Sequence, residues 1–250
     1  MKPFNQSVKS FNQIRYWLKF VAIALLSFAV ACQSYLPGNA RSIATPRDGT
    51  PSHQPAASIA TQPNKALNAD QLIDIHLINA SIRLDMRYAT PNNFLHRSLY
   101  KQPRCLLRSP VAEQLSAVQT DLEAIGLGLK VYDCYRPLSV QKAMWKLVPD
   151  SRYVANPMIG SRHNRGSAVD VTLVDRSGVE LSMPTKFDDF TERAAVNYRG
   201  TDAQAAKHRQ QLEDVMRKHG FTPLQTEWWH FDAVNWQQFP LLDVAIESVP

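Results

Sequence analysis

Two short segments restrict what this chain of 250 residues can fold into more than anything else in it. They are Ser161-Arg-His163-Asn-Arg-Gly166-Ser-Ala-Val-Asp170 and, 57 residues beyond Asp170, Glu227-Trp-Trp-His230. Two histidines and an aspartate offer three nitrogen or oxygen donors to one metal, provided the fold brings the segments together. Three protein donors and an open position are the coordination of a catalytic zinc, whereas a closed structural site takes a fourth Cys or His. Glu227, three residues before the second histidine, is placed as a general base that accepts a proton from metal-activated water.

The local patterns suit that convergence. Val169, Val171 and Leu173 alternate with Asp170 and Thr172, so a strand here sets Asp170 against an apolar face. Buried there, the carboxylate needs a partner, which a metal supplies; otherwise the segment reads as a surface loop with a capping Asp. The small residues Gly166-Ser167-Ala168 let the backbone fold His163 back over Asp170. Residues three apart share a face on a helix and oppose each other on a strand. Glu227 and His230 therefore meet either on a helical turn or across a bend that leads into a strand at His230. Arg136, between a strand end and Pro137, carries a guanidinium suited to an oxyanion; alone, an Arg before a Pro is an ordinary surface residue.

The first thirty residues stand outside this core. Lys2, Lys9, Arg15 and Lys19 precede an apolar run from Phe20 to Ala31, the arrangement of a secretory signal and too short for a comfortable membrane span. Ala29-Val-Ala-Cys32 resembles a lipobox that makes Cys32 the lipidated first residue, with Ala29 where a Leu is expected. The alternatives are ordinary signal cleavage or an uncleaved anchor. Four of the 28 basic residues lie in 1–31, leaving 24 against 22 acidic ones. The mature chain is therefore near neutral, no basic stripe interleaved with aromatics follows, and nucleic acid is not an expected partner. With Cys32 lipidated, Cys105 and Cys134 are free to pair in an oxidising compartment, or to stand as two separate buried thiols.

Four regions are expected: a signal peptide (1–31), a tether (32–68) rich in Ser, Pro, Ala, Gln and Asn, a folded domain (69–243) and a tail (244–250). Leu72–Leu77, Ser81–Met86 and Leu129–Asp133 read as strands. Ser109-Pro110 opens a helix with Val111, Leu115, Val118, Leu122 and Ile125 inward and Gly126 at its end. Further helices start at Ser139 and run from Asp202 to His219, with Leu212, Val215 and Met216 inward. Helices and strands without a regular βαβ alternation indicate an α+β fold.

Taken in order, Asp85-Met-Arg-Tyr-Ala-Thr-Pro-Asn-Asn-Phe94, Tyr132-Asp-Cys-Tyr-Arg-Pro137 and the two metal segments resemble the VanX-type D-alanyl-D-alanine dipeptidases of the LAS-type zinc peptidase superfamily. The resemblance runs from near Asp70 to near Phe239. It implies a single compact domain with a small, mostly antiparallel sheet flanked by helices and one zinc per chain in a cleft. By position, His163, Asp170 and His230 are the implied ligands, Glu227 the base and Arg136 the transition-state stabiliser. Ser161 falls on a substrate contact, and Asp188 is placed to bind the substrate ammonium, with Asp189 its rival. Segments near 88–100 and 184–200 are expected to close the pocket. Resistance members of that family act in the cytoplasm, so an exported, membrane-tethered copy is expected to meet dipeptides and peptidoglycan fragments outside it, in wall turnover or scavenging. The competing readings are a D,D- or L,D-carboxypeptidase trimming peptidoglycan stems, and a wall-binding lipoprotein on a degenerate peptidase scaffold.

Overall fold

The computed structural model describes residues 68 and 71–250. The expected signal segment, Cys32, His53 and all of the tether but Asn68 lie outside the described residues. The fold is α+β. Its centre is a five-stranded sheet made of β2 (Arg83–Leu84), β4 (Leu127–Asp133), β5 (Ala168–Asp175), β7 (His230–Ala233) and β6 (Phe221–Pro223), in that spatial order. Every pairing in it is antiparallel except β2 with β4. A two-stranded antiparallel ribbon joins β1 (Leu72–Asp74) to β3 (Leu106–Arg108).

Apolar periodicity places the helices. α2 (Ser109–Ala124) turns Val111, Leu115, Val118 and Leu122 inward, each fully buried. They join a core that includes Val169, Val171 and Leu173 from β5, and burial of such side chains is worth about 1.5–3 kcal/mol each. α4 (Ala203–Lys218) buries Leu212 and Met216, and Asp202 caps it by accepting from Ala205 N–H. α3 (Leu138–Leu147) begins straight after Pro137 and buries Gln141 and Met144.

Several expectations change. The expected strand 72–77 ends at Asp74, whose carboxylate accepts from His76 N–H and caps a helical turn, α1 (Ile75–Ile78). The strand expected over 81–86 is paired only at Arg83–Leu84. Ser109 is the first helical residue rather than the cap, and its hydroxyl donates to Asn68 carbonyl instead. Ile125 is 60 % exposed, because the helix has already ended and Gly126 turns the chain at φ +81°. Residues 244–250 do not trail away. Ile246 and Val249 are buried, and Arg104 donates to both of their carbonyls.

Cys105 and Cys134 form a disulfide across 29 residues, which ties the ribbon to the end of β4. Loop closure of that length is worth about 3–4 kcal/mol. The Cys105→Ala/Cys134→Ala double variant should therefore unfold at a clearly lower urea midpoint than the wild type. Equal midpoints under non-reducing conditions would show that the bond adds nothing to stability.

Candidate active site

β5 and β7 run antiparallel with Asp170 opposite His230, which places both side chains over one point of the sheet. His163 starts a 3-10 turn (His163–Arg165) that Gly166 closes at φ +69°. The positive φ favours glycine here, and a Cβ would also crowd Leu72 Cδ2 at 2.6 Å and the Arg108 backbone nitrogen at 3.3 Å. The turn returns the imidazole over β5, as the small-residue stretch suggested.

The histidine tautomers follow from their outer partners. His163 Nδ1 lies 2.7 Å from the Cys134 carbonyl, which can only accept, so Nδ1 carries the proton. His230 Nε2 lies 2.9 Å from Asp232 Oδ1 and donates to it. The inner nitrogens, His163 Nε2 and His230 Nδ1, then present lone pairs 3.1 Å apart. They stand 3.4 and 3.0 Å from the Asp170 carboxylate. Two lone pairs and a carboxylate this close repel unless a cation joins them, and all three donor atoms lie within 4.8 Å of one another. This nitrogen–oxygen donor set, with the outer nitrogens anchored, suits zinc.

Burial pushes the Asp170 carboxyl up, but His163 and His230 outweigh it and hold it well below the usual carboxylate range. Burial disfavours a charged His230, yet hydrogen bonds to Asp170 and Asp232 raise its pKa well above the ordinary value, so a proton competes with a metal for the inner nitrogen.

The ligands line a cleft of about 270 Å³, shared with Glu227, Arg136, Ser161 and Asp188. Glu227 sits in a bend before β7, the second of the two geometries that the ExxH spacing allows. Among the described residues its carboxylate makes no hydrogen bond or ion pair, and burial raises its pKa. Arg136 is buried in the wall of the same cleft. Its Nε and Nη2 donate to Asp133 Oδ2 at 3.2 and 2.6 Å, its Nη1 donates to Gln141 Oε1 at 2.8 Å, and its head lies 4.9 Å from the Tyr88 ring centroid. The other oxygen of Asp133 accepts from Tyr100 O–H. Burial opposes a charged Arg136, and the Asp133 carboxylate beside it more than restores the charge.

Ser161 lines the cleft, and its Oγ accepts from His163 N–H at 3.3 Å, which leaves the hydroxyl proton free for another partner. Asp188 and its neighbour are separated by the backbone. At φ +61° Asp188 takes a left-handed conformation uncommon outside glycine. Its carboxylate faces the cleft and accepts from Tyr88 O–H at 3.1 Å and Phe94 N–H at 3.3 Å. Asp189 instead accepts from Thr191 N–H and lines a neighbouring cavity of about 760 Å³. That cavity is the larger of the two but holds none of the metal ligands.

Burial pushes the Asp188 carboxyl up to about 7. The native state thus holds this proton more tightly than the unfolded chain, and wild-type stability falls as pH rises from about 4 to about 7. Relative to the wild type, zinc-free Asp188→Asn should gain stability across that window, by roughly a few kcal/mol at most. Melting temperatures of both proteins at pH 4 and pH 8 measure this; a difference independent of pH would show that Asp188 ionises normally.

Both segments expected to close the pocket contribute to it. Tyr88 comes from one, Asp188 and Phe190 from the other, and Phe94 meets Phe190 edge to face at 5.2 Å. Residues that the sequence left without a role are Asp133, Gln141, Tyr88 and Asp232. Asp133 had a signal, since it precedes Arg136 by three residues inside the Tyr-Asp-Cys-Tyr-Arg-Pro segment; a register shift between Val131 and Asp133 pairs it with Asp170. Among the described residues, His76, His96, His208 and His219 take no part in the cluster.

A family profile described as D-ala-D-ala dipeptidase matches residues 68–244. The chain is 34 % identical over 172 residues to a D-alanyl-D-alanine dipeptidase of Escherichia coli K12, covering 69 % of this chain and 89 % of that protein. Similar matches are found to D-alanyl-D-alanine dipeptidases of Enterococcus faecalis V583 (30 % over 178 residues, 62 % of this chain and 87 % of the relative) and Enterococcus faecium (29 % over 174 residues, 60 % and 85 %).

Proposed function

Since this chain belongs to the D-Ala-D-Ala dipeptidase family of zinc peptidases, we propose that it hydrolyses D-alanyl-D-alanine, or a closely similar D,D-dipeptide, to free amino acids. The observation that carries this reading is the meeting of His163, Asp170 and His230 with Glu227, Arg136 and Asp188 in one small cleft. His163 Nε2, Asp170 and His230 Nδ1 would hold a zinc ion here, which would supply Lewis acidity.

The chain's own residues do the rest. Glu227, unpaired and with a raised pKa, takes the proton from the attacking water and passes it to the leaving amine. Arg136, kept charged by Asp133 and braced by Gln141, faces the oxyanion that forms at the amide carbonyl. Asp188 and Tyr88 receive the substrate ammonium, whose positive charge offsets the cost of burying the Asp188 carboxylate. Ser161 supplies a hydroxyl at the cleft wall.

The protein acts outside the cytoplasm in this reading, anchored by lipid at Cys32, on dipeptides and peptide fragments freed during wall turnover. The basic and apolar N-terminus followed by Cys32 supports this, as does a disulfide of the kind that persists in oxidising compartments. Recovery mainly from the cytosol on fractionation would count against it.

Amino-acid release by the zinc-loaded protein tests the activity, with D-Ala-D-Ala, L-Ala-L-Ala and a pentapeptide ending in D-Ala-D-Ala offered side by side. Cleavage of the D,D-dipeptide alone is expected. Cleavage of the pentapeptide would make it a carboxypeptidase, and silence on all three would leave a binding module.

A further inference from the structure

Behind the metal site lies a covalent crosslink. Cys134, bonded to Cys105, is also the residue whose carbonyl accepts from His163 Nδ1 at 2.7 Å. Among the described residues that carbonyl is the only hydrogen-bond partner of Nδ1. The next acceptor, Asp133 Oδ2, stands 3.7 Å away and is already engaged by Arg136. Cys134 to Pro137 belongs to no regular element, because β4 ends at Asp133 and α3 begins at Leu138. This short link therefore carries both the carbonyl that orients one zinc ligand and Arg136, which faces the oxyanion.

Strand β3 holds both sides of the His163–Cys134 contact. Beside the disulfide, Tyr135 N–H donates to the Leu106 carbonyl at 3.0 Å, and further along Arg108 N–H donates to the Gly166 carbonyl, at the end of the His163 turn, at 2.9 Å. Link and turn also bond to each other. Arg136 N–H donates to the His163 carbonyl at 3.1 Å, and Asn164 Nδ2 donates to the Arg136 carbonyl at 2.8 Å. Each of these is a single hydrogen bond that lengthens with a small backbone shift. The disulfide, fully buried at both cysteines, alone sets a covalent limit on how far Cys134 can move from the ribbon. We propose that the Cys105–Cys134 bond is a positioning element of the metal site: it keeps the Cys134 carbonyl on His163 Nδ1, so that zinc is bound tightly only by the disulfide-bonded chain. This rests on the zinc site of the dipeptidase reading and on no assignment of its substrate.

The test reads zinc affinity rather than turnover. Wild type, Cys105→Ala/Cys134→Ala and Leu212→Ala compete for zinc with a chromophoric chelator, in trimethylamine N-oxide to keep destabilised proteins folded, and circular dichroism checks the fold of each. Leu212 is buried in α4, none of whose residues lines the cleft, so its truncation lowers stability without touching His163. Loss of the partner behind a ligating histidine costs on the order of 10- to 100-fold in metal affinity. The folded double variant should bind zinc more weakly than the wild type by that factor, and Leu212→Ala should match the wild type. Wild-type affinity in the double variant, an equal loss in Leu212→Ala, or a double variant that stays unfolded in the osmolyte overturns the assignment. The bond is then a stabilising crosslink alone, and the dipeptidase reading stands. A wild type that binds no zinc overturns both.

Discussion

Glu227→Ala should lower kcat on D-Ala-D-Ala by about 10²- to 10⁴-fold, the range that general acid–base groups supply, while the protein still binds one zinc. The two halves of this expectation have separate origins. The rate falls because, among the described residues, no other unpaired carboxylate lines the cleft with a raised pKa; Asp188 is held by Tyr88 and Phe94. Zinc should stay because, among the described residues, the converging donors are His163, Asp170 and His230. Stability should hold or rise slightly, since the Glu227 carboxylate makes no hydrogen bond among the described residues and burial already disfavours its charge. Turnover in the presence of excess zinc, metal analysis and a melting curve on one preparation decide the matter. A variant that keeps its zinc and turns over within a few-fold of the wild type removes Glu227 from the chemistry.

Arg136→Ala should fail in both catalysis and folding. Removal of an oxyanion donor costs about 10²- to 10³-fold in kcat. The stability loss comes from Asp133, which is fully buried and would keep only the Tyr100 hydroxyl and a longer, 3.7 Å contact with His163 Nδ1. Breaking a buried pair from one side costs about 3–5 kcal/mol, because an uncompensated charge remains. Lysine should not rescue it, since one ammonium cannot reproduce the fork that holds Asp133 and Gln141 together. The Asp133→Ala/Arg136→Ala double variant separates the two effects. It should recover part of the urea midpoint, because no charge is left unpaired, and recover none of the activity. Activity of the single variant within tenfold of the wild type would argue that Arg136 is a structural residue.

The metal ligands were legible because each belongs to a local pattern that survives folding. Asp170 alternates with valines on a strand, and Gly166 to Ala168 permit one tight turn. The long apolar helices were legible for the same reason, since α2 buries Val111 through Leu122 at the period of its own backbone. Periodicity misled where neighbours intervened. Ile75 to Ile78 has strand-forming residues, yet the Asp74 carboxylate caps it into a helical turn, and Ile125 has helical spacing but lies past the end of α2.

By itself, then, the sequence determined which residue types can reach a metal and roughly where they sit, because donor identity and backbone period are local properties. The tertiary structure decided what depends on meetings between distant segments. Asp188, at a positive φ, lines the cleft of the metal cluster, while Asp189 lines the neighbouring cavity. A register shift in β4 pairs Asp133 with Asp170 of β5, and Asp133 holds the Arg136 guanidinium that Gln141 from α3 also braces. The approach of the β1–β3 ribbon to the end of β4 joined Cys105 to Cys134, whose carbonyl sets the tautomer of His163. Each of these is a contact between residues whose separation along the chain says nothing about their separation in space, and only packing the whole core brings them within bonding distance.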